Sequence, residues 1–138
     1  MRIVLDTNVL ISGLIWNGTP GKILAAARSR RVEIVTCIEL LNELSRVLSR
    51  KKFSLKLVAL GLTVQTILSD YMSLATSVSL IPLQAPVTRD PNDDIVLACA
   101  LTAQADAIIS GDKDLLVMHQ YQTVPIWTPK EALNRISP

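Results

Sequence analysis

The sequence predicts an α/β fold, a three-layer α/β/α sandwich with a central parallel sheet. Short apolar runs alternate with segments whose apolar residues recur at helical spacing, which is the pattern of repeated β-α units. The runs are apolar almost throughout, as is typical of strands that are covered on both faces. The chain has 138 residues, of which 49% are hydrophobic and 4% aromatic. These values predict one domain, residues 1–138, with an aliphatic core.

The N-terminal segment is expected to contain a buried strand followed by two helices. Residues 2–5 form the strand, and the first helix covers Asn8 to Ile15. Thr19 stands before Pro20, and a threonine N-cap with proline at the first helical position predicts a second helix that continues to about Arg28.

The next segment is expected to contain a second strand and three helices. The strand covers Val32 to Thr36, and a helix begins at Ile38. Glu43 lies beside the apolar stripe of this helix, which consists of Leu41, Leu44, Val47 and Leu48. Residues 55–72 continue at helical spacing and are interrupted only by Gly61, which predicts a hairpin of two helices.

The second half of the chain alternates strands and helices in the same way. Val78 to Leu83 predict a short strand, and Asp90-Pro91 begins a helix, because proline and acids favour a first turn. The apolar face of that helix is expected at Ile95, Ala98, Cys99 and Thr102. The remaining elements are a strand at Ala107–Ser110, a short helix at Asp112–Leu116, a strand at Val124–Trp127 and a helix at Lys130–Ile136 capped by Thr128.

Four carboxylates stand at positions that suit chemistry better than stability. Asp6 and Asp112 each follow an apolar strand, Glu43 lies in an aliphatic helix, and Asp93 lies in a first helical turn. Ligands of open α/β sheets bind beyond the carboxyl ends of the strands, so these side chains are expected to converge there. Two carboxylates about 4 Å apart repel by roughly 4 kcal/mol at an effective dielectric near 20. The cluster therefore needs protons or cations at neutral pH, and Mg²⁺ or Mn²⁺ prefers such oxygen ligands.

Each acid also has a purely structural interpretation. Asp6 and Asp112 could cap the helices that follow them, and Asp93 could stabilise a helix start through the macrodipole. Glu43 could be a solvated helix residue, and Asp90 is the stronger N-cap candidate in its segment. These interpretations are compatible with metal binding, because a carboxylate can cap a helix and ligate a cation together.

Composition excludes several other classes of protein. His119 is the only histidine, which argues against zinc hydrolases and Ser/His/Asp enzymes. Cys37 and Cys99 lie far apart among aliphatic residues, so they are expected to be buried and reduced. No apolar run approaches the ~20 residues of a membrane helix, and the N-terminus lacks a signal-peptide pattern. We therefore expect a cytoplasmic protein without a membrane partner.

Four segments of the chain together resemble the PIN-domain family, and most closely the VapC-like toxins of prokaryotic toxin–antitoxin systems. The segments are IVLDTNVL at residues 3–10, Glu43, RDPNDD at residues 89–94 and SGDKDLL at residues 110–116. Each segment alone is a weak signal. Their order and spacing extend the resemblance over nearly the whole chain.

The resemblance implies a Mg²⁺- or Mn²⁺-dependent endoribonuclease with the sandwich fold. Its catalytic and metal-binding acids match Asp6, Glu43, Asp93 and Asp112. Further polar or acidic positions near the site match Thr7, Asn8, Asp90, Ser110 and Asp114. The cations expected to contact RNA phosphates are Arg46, Arg50, Lys51 and Lys113. The resemblance also implies a cognate antitoxin and a homodimer, for which the apolar face around Leu55 to Leu68 is a candidate surface.

Two alternatives remain open from the sequence. A Mg²⁺-dependent phosphatase or phosphoacceptor of another α/β class also places an aspartate after its first strand. The phosphatase class normally has a second aspartate two residues later, where this chain has Asn8, and residues 78–83 end in no acid of the kind a receiver domain needs. The other alternative is a non-catalytic PIN-like module that binds RNA or protein, although such a module has no reason to tolerate four repelling acids.

Overall fold

The computed structural model describes residues 1–136, which form six strands and eight helices. The strands are β1 (Arg2–Leu5), β2 (Glu33–Thr36), β3 (Thr76–Ser77), β4 (Ala107–Ile109), β5 (Gln120–Tyr121) and β6 (Val124–Trp127). They form one sheet in the order β3-β2-β1-β4-β6-β5. Every neighbouring pair is parallel except β5 and β6. The predicted parallel sheet is therefore present, with one antiparallel strand at its edge.

The helices flank this sheet on both faces. They are α1 (Thr7–Ile15), α2 (Gly18–Arg28), α3 (Ile38–Leu48), α4 (Lys51–Leu60), α5 (Val64–Leu74), α6 (Pro91–Thr102), α7 (Lys113–Leu116) and α8 (Pro129–Arg135). The three-layer α/β/α sandwich predicted from the sequence is confirmed.

Two apolar cores, one on each face of the sheet, separate the layers. Alternate strand residues point to opposite faces, so Ile3 and Leu5 pack with α1 to α5 and α8, whereas Val4 packs with α6 and α7. The residues of β1 after Arg2 are at most 4% exposed, because β1 lies between β2 and β4. Cys37 and Cys99 are buried and free, as predicted.

Two predictions for local structure are wrong. Thr19 does not cap α2, because the helix begins at Gly18 after Asn17, which has a φ of 61°. Pro20 then lies in the first turn, where a missing N–H costs no helical hydrogen bond. Residues 78–83 form neither a helix nor a strand. Their apolar side chains still contribute to the core beside α6, so burial without a ladder explains the apolar pattern.

The predicted helical hairpin is also different in the structure. α4 begins at Lys51 and ends at Leu60, and it is followed by Gly61 as C-cap, whose φ of 69° suits glycine. α4 and α5 are bent by 78° instead of antiparallel. No single helix among residues 1–136 is long and apolar enough to cross a membrane, although this bent pair meets the criteria of length and composition when its members are joined.

The predicted face of α6 is only partly correct. Ala98 and Cys99 are buried, but Ile95 and Thr102 are half-buried, whereas Val96 and Leu97 are fully buried. A helix that is covered on several sides has no single apolar stripe, which is why its periodicity was a poor guide.

Candidate metal centre

The carboxyl ends of the two central strands, β1 and β4, bring Asp6 and Asp112 together. The Asp6 N–H donates to the Ile109 carbonyl at 2.9 Å, which extends the pairing of these strands by one residue. Ser110, fully buried, donates its hydroxyl proton to Asp6 Oδ2 at 2.7 Å and accepts the Asp112 N–H at 2.9 Å. One hydroxyl therefore connects the two strand-end acids.

Asp6 and Asp112 differ in their relation to the helices that follow them. Asp6 occupies the N-cap position of α1, but its side chain accepts no capping hydrogen bond from residues 7–15. Asp112 Oδ1 accepts the Asp114 N–H at 2.9 Å and so caps α7. Helix capping therefore accounts for Asp112 in part and does not account for the side chain of Asp6.

The third acid, Asp93, lies in the first turn of α6 and is only 4% exposed. The N-cap of this helix is Asp90, whose Oδ1 accepts the Asn92 N–H at 2.9 Å, as predicted. Asp93 Oδ2 is buried and has no hydrogen-bond partner among residues 1–136. An unpartnered carboxylate oxygen in the interior is costly unless a cation or a proton compensates it.

Asp6, Asp93 and Asp112 converge. One carboxylate oxygen from each lies within 4.8 Å of the other two. Burial first, and then the charge of Asp112, raise the pKa of Asp93 to about 7. Burial also raises the pKa of Asp6, and the charges of Glu43 and Asp112 raise it further. None of the ion pairs formed among residues 1–136 involves these three aspartates.

Glu43 lies next to this group without joining it. Thr7 Oγ1 donates to Glu43 Oε2 at 2.7 Å, which holds the half-buried carboxylate from the start of α1. The charge of Glu43 acts on Asp6. The structure thus brings together three of the four predicted acids, with the fourth as a neighbour.

The three aspartates are a suitable site for a divalent cation. They offer only oxygen donors, and Mg²⁺ or Mn²⁺ is commonly bound by a few carboxylates together with water. The unpartnered Asp93 Oδ2 is the atom that most needs such a ligand. The residues present therefore fit the cation that the sequence predicted.

A cleft of about 640 Å³ opens beside Asp112. Asn8 and Asp114, two of the predicted supporting residues, line it. The cations that line it within the described range are Lys113, which was predicted, and Arg89, which was not. The other predicted RNA-contacting cations are exposed and do not line this cleft: Arg46, Arg50 and Lys51.

Arg89 and Asp114 form a bidentate ion pair across this cleft. Arg89 Nε and Nη2 donate to the two carboxylate oxygens of Asp114, each at 2.9 Å. Asp114 therefore faces Arg89, and it is outside the group of oxygens that could hold a metal ion. The sequence signal for Arg89 is its position in the RDPNDD segment, which predicts a helix start and contributes to the family resemblance but assigns no role to the arginine.

The fold and the acidic group together define a class of protein, an α/β domain with a cluster of carboxylates that could hold a metal ion at the carboxyl ends of its strands. Comparison with known families makes the assignment specific, because residues 2–114 match the PIN domain. The chain belongs to the PIN domain family, whose members are generally nucleases.

Similarity to individual proteins agrees with this assignment. The chain is 35% identical over 126 residues to the uncharacterized protein MJ1680 of Methanocaldococcus jannaschii, a match that covers 84% of this chain and 74% of the relative. The fold of the present chain is similar to that of a chain in the crystal structure titled "Crystal structure of VapBC2 from Rickettsia felis bound to a DNA fragment from their promoter". That match has a TM-score of 0.62 and 15% identity, and it covers 91% of this chain and 97% of the other.

Proposed function

We propose that the protein is a Mg²⁺- or Mn²⁺-dependent endoribonuclease that hydrolyses RNA phosphodiester bonds. The observation that carries this proposal is the convergence of Asp6, Asp93 and Asp112 within 4.8 Å, without an ion pair to any described lysine or arginine. Like-charged groups at this separation destabilise the fold unless a cation or a proton compensates their charge. Membership of the PIN domain family supports hydrolysis of a nucleic acid as the use of that cation.

The residues of the site would divide the work as follows. Asp6, Asp93 and Asp112 hold the cation, and Glu43 reaches it directly or through a water molecule while Thr7 holds its carboxylate. Ser110 fixes the orientation of Asp6. A bound divalent cation lowers the pKa of a water molecule and stabilises negative charge on the scissile phosphate. No histidine base is required, which agrees with the exposed position of His119 outside this site.

The direct test is incubation of the purified protein with total RNA and Mg²⁺ or Mn²⁺, followed by mapping of the cut sites. Wild type is expected to cut RNA internally, EDTA is expected to stop the reaction, and Asp6→Asn is expected to lose it. The matched control is Asp106→Asn, an exposed acid at the opposite edge of the sheet that accepts the Arg2 N–H at 2.7 Å. This control is expected to cut RNA like wild type.

Other outcomes would favour the alternatives. Hydrolysis of a phosphomonoester without cleavage of RNA would indicate a phosphatase. RNA binding without cleavage, together with the absence of any effect of Mn²⁺ on stability, would indicate a non-catalytic module. Equal RNA cleavage by wild type and Asp6→Asn would assign the activity to a contaminant or to another site.

We also propose that the protein is the toxin of a cytoplasmic toxin–antitoxin pair and that it forms a homodimer. The fold similarity to the VapBC2 structure supports this, as does exposed apolar surface on α4, where Leu55 is 85% and Val58 77% exposed. The face predicted around Leu55 to Leu68 is only partly available, because Leu57 and Ile67 are buried.

Expression in a bacterial host tests the proposed toxin. Wild type is expected to arrest growth, Asp6→Asn is expected not to, and co-expression of a small DNA-binding protein from the adjacent gene is expected to restore growth. Light scattering of the purified protein gives its oligomeric state. Normal growth on expression of an active nuclease would remove the toxin assignment and leave the ribonuclease proposal intact.

A further inference from the structure

The ion pair between Arg89 and Asp114 lies in the cleft beside Asp112, one of the three clustered aspartates. Both residues line the cleft that contains Asp112, and the Arg89 side chain is 84% exposed. Nε and Nη2 of Arg89 are used by Asp114. The Nη1 amino group has no partner among residues 1–136, so it can donate to a further acceptor in the cleft.

The backbone on either side of Arg89 is held by several hydrogen bonds. Asp94 accepts the Thr88 N–H at 2.8 Å and the Val87 N–H at 3.3 Å. The Thr88 hydroxyl lies 2.8 Å from the Asp90 carbonyl oxygen. The residues on both sides of Arg89 are therefore fixed by hydrogen bonds. Asp94 binds the loop before α6 and is not part of the group of oxygens that could hold a metal ion.

Asp114 is fixed as firmly as its partner. Its N–H donates to Asp112 Oδ1 at 2.9 Å, so its position follows that of a candidate metal ligand. The same geometry connects the guanidinium group of Arg89 to the acidic cluster through two residues. An exposed ion pair contributes little to stability, so stability does not explain why both partners are held.

Binding of a polyanion does explain why Arg89 and Asp114 are both held in place. A phosphate group that approaches Asp6, Asp93 and Asp112 is repelled by them, and only part of that repulsion is removed by one divalent cation. A guanidinium group is planar and always charged, and its N–H groups match the oxygens of a phosphate. Because Asp114 already orients the guanidinium group of Arg89, less side-chain entropy is lost when the substrate binds.

We propose that Arg89 binds a phosphate of the single-stranded RNA that lies in the cleft, next to the phosphate that is cut, and that Asp114 is a positioning residue for Arg89 and not a metal ligand. This inference rests on the proposed ribonuclease function. It would place the RNA strand in the cleft between the loop before α6 and the start of α7, next to Asp112.

The affinity for a fluorescently labelled single-stranded RNA oligonucleotide tests the role of Arg89. It is measured with Mg²⁺ in an Asp6→Asn background, which is expected to bind without cutting. Arg89→Ala is expected to weaken binding about tenfold and to reduce the slope of log K against log salt by about 0.7, the value for one phosphate of a single strand. Arg89→Lys is expected to recover part of the affinity, because it keeps the charge and loses the fork.

Arg28→Ala is the matched control. Arg28 forms a bidentate pair with Asp70, in which each side chain is 49% exposed, and neither residue lines the cleft. The two variants remove the same charge and the same kind of ion pair. Arg28→Ala is expected to leave RNA affinity and its salt dependence unchanged.

A double-mutant cycle tests the role of Asp114. Asp114→Asn also removes a negative charge from the cleft, so the effect of this substitution on RNA binding is expected to be about threefold less favourable in the presence of Arg89 than in Arg89→Ala. Mn²⁺ affinity, measured by calorimetry, is expected to be that of wild type. A loss of Mn²⁺ affinity in Asp114→Asn, or an equal effect on RNA binding with and without Arg89, would overturn the positioning role.

The outcomes separate this inference from the proposed function. If wild type cuts RNA and Arg89→Ala binds RNA with the affinity and salt slope of Arg28→Ala, the phosphate-binding role of Arg89 is wrong while the nuclease stands. If wild type neither binds nor cuts RNA, the proposed function itself is wrong. Circular dichroism of each variant verifies that it is folded.

Discussion

The acidic residues are paired differently at the two ends of the parallel strands, the side of the sheet where the strands begin (the amino edge) and the side where they end (the carboxyl edge). At the amino edge, Glu33 Oε1 accepts from Arg2 Nε at 2.8 Å, and Asp106 accepts the Arg2 N–H at 2.7 Å. At the carboxyl edge, Asp6, Asp93 and Asp112 face one another. The pKa shifts follow: the hydrogen bond from Arg2 lowers the pKa of Glu33, whereas burial and neighbouring acids raise that of Asp93 to about 7. Charges are balanced at one edge by the chain itself, and the other edge is left for a cation.

The largest effect on RNA cleavage is expected from a substitution at the carboxyl edge alone. Asp112→Asn is expected to reduce RNA cleavage by at least about a hundredfold, because it removes a cation ligand. Asparagine can still cap α7, and one repelling charge is lost, so the metal-free variant is expected to be as stable as wild type or more stable. Cleavage assays and urea unfolding in EDTA measure the two quantities. A large loss of stability would instead make Asp112 mainly a structural cap.

Addition of the cation is the next test. At a Mn²⁺ concentration of about 100 times Kd, the folded state is expected to gain about 2.7 kcal/mol, which corresponds to a rise in Tm of roughly 5 to 10 °C for a domain of this size. Asp93→Asn is expected to lose most of this rise. Glu33→Gln, at the amino edge, is expected to retain it. Scanning calorimetry with and without EDTA gives the comparison, and an unchanged rise in Asp93→Asn would place the cation elsewhere.

The pH dependence of stability is expected to have opposite signs at the two edges. Because the pKa of Asp93 is about 7 in the folded state and 3.8 in ordinary surroundings, the folded protein binds this proton more tightly. The contribution of the Asp93 carboxyl group to stability is present at low pH and is lost as the pH rises from about 4 to about 7, by an amount on the order of 3 kcal/mol. Glu33, with a lowered pKa, contributes above its usual pKa and loses that contribution as the pH falls.

Urea unfolding of the metal-free protein at several pH values measures this difference. Asp93→Asn is expected to flatten the decline between pH 4 and 7, and Glu33→Gln is expected to leave it in place. A wild-type protein that becomes more stable over this interval would contradict the interpretation of the carboxyl edge.

The smallest effect concerns the amino edge. Glu33→Gln removes a partly exposed ion pair and is expected to cost about 0.5 kcal/mol of unfolding free energy, with RNA cleavage unchanged. Arg2 still donates to the Ala103 carbonyl oxygen at 2.7 Å, which limits the loss. Reduced cleavage in this variant would mean that the two edges are coupled through the sheet.

The sequence predicted the parts of the fold that depend on local periodicity. The apolar run of β1 and the stripe of α3 were sufficient, because both elements bury the residues that their spacing indicates. β3 and β5 were missed, since two-residue strands carry no periodic signal. Residues 78–83 were assigned wrongly because the apolar side chains of a loop can pack against a core without forming a strand.

For the site, the sequence predicted which acids converge, but it did not predict the hydrogen bonds and ion pairs that hold the site residues. The rule that strand ends meet at one edge applied directly to Asp6 and Asp112, and a first-turn position brought Asp93 to the same place. The contact between Thr7 and Glu43 spans 36 residues, and that between Arg89 and Asp114 spans 25. Pairings of this kind depend on how elements pack, and no spacing rule along the chain gives them.

Ser110 sets the distance between two of the candidate ligands through one oxygen atom, which donates toward Asp6 and accepts from the amide of Asp112. A homologue with alanine at this position would retain every acid and lose the atom that spaces two of them. A sequence comparison that considers only the aspartates would find nothing missing in such a homologue, although its affinity for a small cation would be reduced. If the three aspartates hold a cation as proposed, metal binding is expected to depend on the uncharged Ser110 as well as on the charged residues.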